Sequence, residues 1–162
     1  MNSLMKSVIA CCIILLAANY ESVRADTLSA HAAYERGEFQ VAFTEYQKLA
    51  EQGDSTAQAS LGALYEGGQG VAKDLAKARY WYEQSAQQGN DNGQYRLGSL
   101  YFVGTGVERD MVTACTWFSL ATYSGHGAAR NSMQFCARDL NEKQRNEYFE
   151  RAQAWLAARK KK

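Results

Sequence analysis

Ala57, Leu61, Leu64 and Tyr65 fall at the spacing of one helical face, and Leu97, Leu100 and Tyr101 repeat that stripe further along the chain. Each stripe runs into a glycine pair, Gly68-x-Gly70 or Gly104-x-Gly106, which stops a helix and permits a turn at positive φ. A second helix is then expected, capped by Asp74 or Asp110 and closed at Gly89 or Gly125. Ser55-x-x-Gln58 and Asp91-x-x-Gln94 have capping-box spacing, so the first helix of each unit is expected to start there. Gly62 and Gly98 sit inside these helices despite a cost of about 1 kcal/mol relative to Ala, which points to close approach of the partner helix.

Laying residues 57–90 over 93–126 gives 12 identities in 34 positions without a gap, the mark of a stacked repeat. Upstream, Ala42, Tyr46, Ala50, Gln52 and Gly53 match Ala78, Tyr82, Ala86, Gln88 and Gly89. A helix near Leu28–Glu35 precedes them, joined by a shorter turn at Gly37. Downstream, Ala128–Arg138 reads as another first helix, with Met133 in the place of Leu61 and Leu97. Asn141-x-x-Gln144 then caps a last helix running to about residue 158. The expected divisions are a partial repeat over 28–54, repeats over 55–90 and 91–126, a capping repeat over 127–158 and a basic tail over 159–162. This is an all-α stack of about four helix pairs, with atypical ends that cover the terminal apolar faces. The absence of Pro and the abundance of Ala fit that reading.

Residues 1–25 do not fit the repeat. Lys6 supplies a weak positive start, Val8–Ala18 is an apolar run, and Val23-Arg24-Ala25 offers a small-residue cleavage site. A cleavable secretory signal peptide is expected, the alternative being an uncleaved N-terminal anchor. The apolar run is shorter than the ~20 residues of a membrane-spanning helix. Cutting before Cys11 for lipid attachment would leave most of that run on the mature chain, which argues against lipidation. Removing Lys6, Glu21 and Arg24 turns the formal charge of +1 into neutrality, which disfavours nucleic acid and anionic lipid as partners. The Arg159–Lys162 tail reads as a solvated end.

The run from Ala57 through Leu61-Gly62-Ala63-Leu64-Tyr65, then Gly68-Gln-Gly-Val71, Asp74 and Ala78-x-x-Trp81-Tyr82, closely resembles the Sel1-like repeat. Residues 93–126 match it nearly as well, and the stretch from Trp117 through Glu142-Lys-Gln144 to Trp155 looks like the closing unit of bacterial members. The resemblance implies a tetratricopeptide-like, right-handed superhelical α-solenoid of antiparallel helix pairs that acts as an adaptor or scaffold and binds protein. Exported relatives also stand beside cell-wall or exopolysaccharide machinery, which makes a glycan-binding scaffold the alternative. Some cysteine-rich relatives are linked to β-lactam recognition, but the dense Cys spacing and a serine nucleophile signature are missing here.

The chemistry-bearing residues point away from catalysis. His31 and His126 are the only histidines, and neither has ligand spacing to another His or a Cys. No nucleophile elbow, phosphate loop or zinc-protease motif occurs, so no enzyme activity, metal or cofactor is expected. With Cys11 and Cys12 in the signal segment, Cys115 and Cys136 remain, each about ten residues from the turn at Gly125-His126. An antiparallel hairpin brings them to similar height, so they form either a structural disulfide or two buried thiols. Positions 59, 63 and 66 lie opposite the apolar stripe, and the repeat shift carries them to Tyr95, Ser99 and Phe102, then to Asn131, Phe135 and Arg138. Tyr95, Phe102 and Phe135 are thus large aromatics on an expected solvent face. They serve partner recognition, or superhelical curvature packs them against neighbouring units. Tyr65, Tyr101, Trp81 and Trp117 repeat in register and are expected in the core.

Overall fold

The computed structural model describes residues 26–160. The expected signal peptide, with Cys11 and Cys12, lies outside the described residues, as do Lys161 and Lys162. Eight helices and no strand form among the described residues: α1 (26–35), α2 (Phe39–Glu51), α3 (Ser55–Gly67), α4 (Leu75–Gln87), α5 (Asp91–Val103), α6 (Met111–Tyr123), α7 (Ala129–Arg138) and α8 (Glu142–Arg159). Each helix from α2 to α6 packs on the next, α5 also rests on α3, and α6 carries both α7 and α8. This is the expected solenoid of helix pairs. None of these helices is long and apolar enough to cross a membrane.

Local chemistry sets most of the boundaries. Asp74 and Asp110 cap α4 and α6, each accepting a backbone N–H at 3.0 Å, from Lys77 and Thr113. Burial pushes the Asp110 carboxyl up, but the hydroxyl and N–H of Thr113 outweigh it and hold the group below the ordinary carboxylate range. Asn141 and Gln144 form the expected capping box of α8. Gly68 and Gly104 end α3 and α5 at φ 68° and 82°, where a side chain would be strained.

The capping boxes expected at Ser55 and Asp91 do not form. Asp54 and Asn90, one residue earlier, are the caps and accept from Ala57 N at 2.6 Å and Gly93 N at 3.0 Å. That frees the glutamines for a different task. Gln58 is buried and donates to the carbonyl of Ala50 at 3.1 Å while accepting from Gln88 Nε2 at 2.8 Å. Gln94 does the same with Ala86 and Ser124, at 3.4 and 3.1 Å. Each glutamine thus adds a side-chain donor to a carbonyl in the last turn of the preceding helix, beside the backbone N–H of Gly53 or Gly89 that the same oxygen already accepts.

Gly62 and Gly98 mark close helix crossings, as expected. A Cβ at Gly62 would lie 2.7 Å from the Tyr82 ring and 3.1 Å from the Ala78 carbonyl oxygen. At Gly98 it would lie 2.9 Å from the Phe118 ring and 3.2 Å from the Ala114 oxygen. Gly98→Ala is thus expected to lose stability by roughly 1–3 kcal/mol through overpacking, against the ~1 kcal/mol that helix propensity alone would add. A thermal melt decides it, and a rise in Tm would mean that the two helices are not in contact there.

Two clusters make the core. The larger runs from Ala30 and Ala33 to Leu97 and Leu100, with Tyr82 fully buried and Trp81, Tyr101 and Trp117 packed at its edge. The smaller joins Val112, Cys115, Phe118, Cys136 and Leu140, with Tyr95, Phe102 and Met133 against it. Arg159, the first residue of the basic tail, is exposed and is the last residue of α8. Its guanidinium donates to the carbonyl of Gln87 at 3.1 Å and lies over the Trp155 ring.

Candidate partner-binding groove

Tyr95, Ser99 and Phe102 lie on successive turns of α5, and Asn131 and Phe135 on α7 face them. Together with Val103, Ser132 and the buried ring of Phe118 from α6, they line a concavity of about 460 Å³. Phe118 is its floor, with ring centroids 5.6 Å from Tyr95 and 6.2 Å from Phe102. Phe102 and Phe135 meet edge-on at 5.9 Å across it. At one end His126 stacks on Tyr95 with centroids 4.2 Å apart and planes 12° from parallel. Ser99 donates to the carbonyl of Tyr95 at 3.0 Å.

The structure gathers five of the six expected residues into one hollow and sets Arg138 beside it. The premise that this face points to solvent needs correction, because Ala59, equivalent to Tyr95, is buried. A helix inside a stack is covered by its pair partner and by both neighbouring units, so the face opposite one stripe is not free. Tyr95 and Phe102 are accordingly half-buried, each with one edge on Phe118. Phe135 and Val103 remain 56% and 67% exposed, and they extend the apolar surface outward.

One repeat step earlier, the same interface is polar. There Tyr82 donates its hydroxyl to Glu66 at 2.7 Å, and Arg96 approaches the same carboxylate at 3.9 Å. Burial, and then the hydrogen bond to Glu66, push the Tyr82 phenol well above its ordinary value. The repeat shift maps Glu66, Tyr82 and Arg96 onto Phe102, Phe118 and Ser132, all three of which line the groove. A hydrogen-bonded plug between two units has become two rings and a small hydroxyl between the next two. Phe118 and Ser132 were missed on sequence, though their joint change with Phe102 is visible once the two units are aligned.

Two cations stand over these rings. The Arg109 guanidinium lies 6.0 Å from the Phe102 centroid, its Nε donating to the Phe102 carbonyl at 3.1 Å. The Arg138 guanidinium lies 5.7 Å from the Phe135 centroid. Neither joins an ion pair among the described residues, and no carboxylate lines the groove. Arg109 also borders a larger hollow of about 830 Å³, where Arg79, Glu108 and Asp110 mix both signs of charge.

Cys115 and Cys136 form a disulfide between α6 and α7, with Cα atoms 5.7 Å apart. It fastens the helix that carries the outer wall of the groove. His31 lies 3.9 Å from the Glu35 carboxylate across one turn of α1, and His126 stacks on Tyr95. No group of three or more His, Cys, Asp or Glu residues gathers at metal-binding distance among the described residues.

A stack of antiparallel helix pairs with an aromatic hollow between units defines a helical-repeat scaffold. Residues 55–90 and 92–126 each match the Sel1 repeat, so the chain carries two Sel1-like repeats. A protective antigen present in uropathogenic Escherichia coli strains, displaying an SLR fold, is similar at 28% identity and TM-score 0.79, over 86% of this chain and 31% of that one. A Sel1 repeat protein from Oxalobacter formigenes is similar at 28% identity and TM-score 0.65, over 72% and 50%. The chain thus spans about a third and a half of the length of these two. Cysteine rich protein B of Helicobacter pylori shares the fold at 23% identity and TM-score 0.55, over 69% of this chain and 95% of that one. No curated protein matches the chain. Sel1 repeats generally mediate protein–protein interaction and act as non-catalytic adaptors.

Proposed function

We propose that the chain is an exported helical-repeat adaptor, periplasmic or secreted, which holds a protein partner in the groove between α5 and α7. The observation that carries this reading is the exchange of the Glu66–Tyr82–Arg96 plug for Phe102, Phe118 and Ser132. A structural interface would keep its hydrogen bonds, whereas this one presents aromatic edges beside exposed Val103 and Phe135. Export is supported by the disulfide, which oxidising compartments favour, and by the signal-like pattern of residues 1–25. A second reading, a glycan-binding scaffold for cell-wall or exopolysaccharide assembly, is favoured by the flat Tyr95–His126 stack beside the Asn131 side chain.

Photo-crosslinking in intact cells, with the probe placed at Tyr95, Phe102 or Phe135, tests the proposal. One envelope protein is expected to be captured from all three positions, and its capture should fall at least tenfold when Phe135, away from the probe, becomes Ser. Capture of polysaccharide alone would favour the second reading. No capture at any of the three would make these rings packing residues and overturn both.

A further inference from the structure

The groove has a chemical polarity that narrows what it holds. Its lining carries no charge, yet Arg109 and Arg138 stand over Phe102 and Phe135, at the C-terminal ends of α5 and α7. Each guanidinium stands over one of two rings that touch across the hollow, 6.0 Å from Phe102 and 5.7 Å from Phe135. Among the described residues, Arg79, Arg96 and Arg151 each have an acidic partner within 4.0 Å, whereas Arg109 and Arg138 join no ion pair. Arg109 is held at the edge of the hollow by its Nε bond to the Phe102 carbonyl and by a second N–H on Met111 Sδ at 3.5 Å, and the residue remains exposed. At the Tyr95 end the rim is instead a phenol with the His126 imidazole stacked on it.

Resting on the protein-binding reading above, we infer that the occupant is a linear segment of a partner protein in which a large apolar side chain neighbours one or more Asp or Glu side chains. The apolar side chain sits against Phe102, Phe118 and Phe135. The neighbouring carboxylate meets Arg109 and Arg138, forming charge-assisted hydrogen bonds beside an apolar surface that weakens competition from water. A basic segment is disfavoured because it would bring like charge to both arginines.

The test uses an array of N-acetylated, C-amidated dodecapeptides, with a central Leu and flanks of Asp, Asn or Lys, probed with the disulfide-intact chain. Capping both ends removes terminal charge, so any preference belongs to side chains. Asp-flanked peptides are expected to bind at least tenfold more tightly than Asn-flanked ones, with Lys-flanked peptides weakest. That advantage should shrink as salt is raised. In the Arg109→Glu/Arg138→Glu variant, where both changes are at exposed positions, the preference should invert toward Lys. Binding that depends on Phe102 and Phe135 but is indifferent to flank charge would overturn this inference and leave the protein-binding groove standing. Binding of Asp-flanked peptides that survives Phe135→Ser would overturn the inference by placing the acidic site elsewhere. Absence of any peptide binding would overturn it together with the linear-segment form of the reading, while the crosslinking result judges the groove independently.

Discussion

Replacing Cys115 and Cys136 by Ala is expected to lower stability by about 3 kcal/mol and Tm by roughly 10 °C. The bond closes a loop with a sequence separation of 21, and the chain-entropy account assigns that cost to the larger freedom of the unfolded chain. The loss should be concentrated in one element. α7 has 10 residues, no side-chain N-cap, and only Ala129 and Cys136 buried along its length. A helix that short does not hold itself in water, and the disulfide is what ties it covalently to α6. Without the bond, α7 should fray while α3 to α6 stay folded. Hydrogen exchange over residues 129–138 is the direct measurement, alongside melting with and without reductant. The parent should respond to reductant and the double Ala variant should not. Equal protection of α7 in both proteins would show that packing alone holds it. Because α7 carries Asn131, Ser132 and Phe135, the same variant should also lose partner capture.

How far the sequence foretells such effects depends on the range of the interaction. Asp74, Asp110, Asn141 and Gly104 act within one turn of the backbone, so a short motif specifies them. The spacing Ser55-x-x-Gln58 fits a capping box equally well, yet Asp54 competes for the same N–H groups and wins. Nothing within those four residues reveals that Gln58 is needed by Ala50 in the helix before it. The wall of the groove could be read because the repeat shift carries one face onto the next, from position 63 to Ser99 and Phe135. Its floor is harder to read, since Phe118 taken alone aligns with Tyr82 as another aromatic, and only its joint change with Phe102 and Ser132 sets it apart. The helical wheel failed for a related reason. It treats each helix as having one covered side, whereas a middle helix of a stack is covered on several, which buries Ala59.

Grafting the polar plug of one interface onto the next gives the sharpest test of what the groove is for. Phe102→Glu/Phe118→Tyr/Ser132→Arg copies Glu66, Tyr82 and Arg96 one repeat along. The new phenol should donate to the new carboxylate as Tyr82 does to Glu66, and the added guanidinium should fill the mouth now bordered by Ser132. Partner capture and peptide binding are expected to fall at least a hundredfold, equivalent to about 3 kcal/mol. Stability should move little by comparison, because each polar group arrives with its hydrogen-bond partner. Phe102→Glu alone should cost roughly 1–3 kcal/mol, since its carboxylate would face the Phe118 ring without the phenol that Tyr82 offers Glu66. Adding Phe118→Tyr should then recover part of that loss, and the coupling energy from the double-mutant cycle measures how closely the two interfaces are equivalent. A melt showing no coupling would mean that the repeat geometry differs between them. A stable triple variant that still binds its partner would mean that recognition lies elsewhere on the solenoid. Loss of binding with the fold intact would identify the exchange of hydrogen bonds for aromatic surface as the step that turned a structural contact into a receptor.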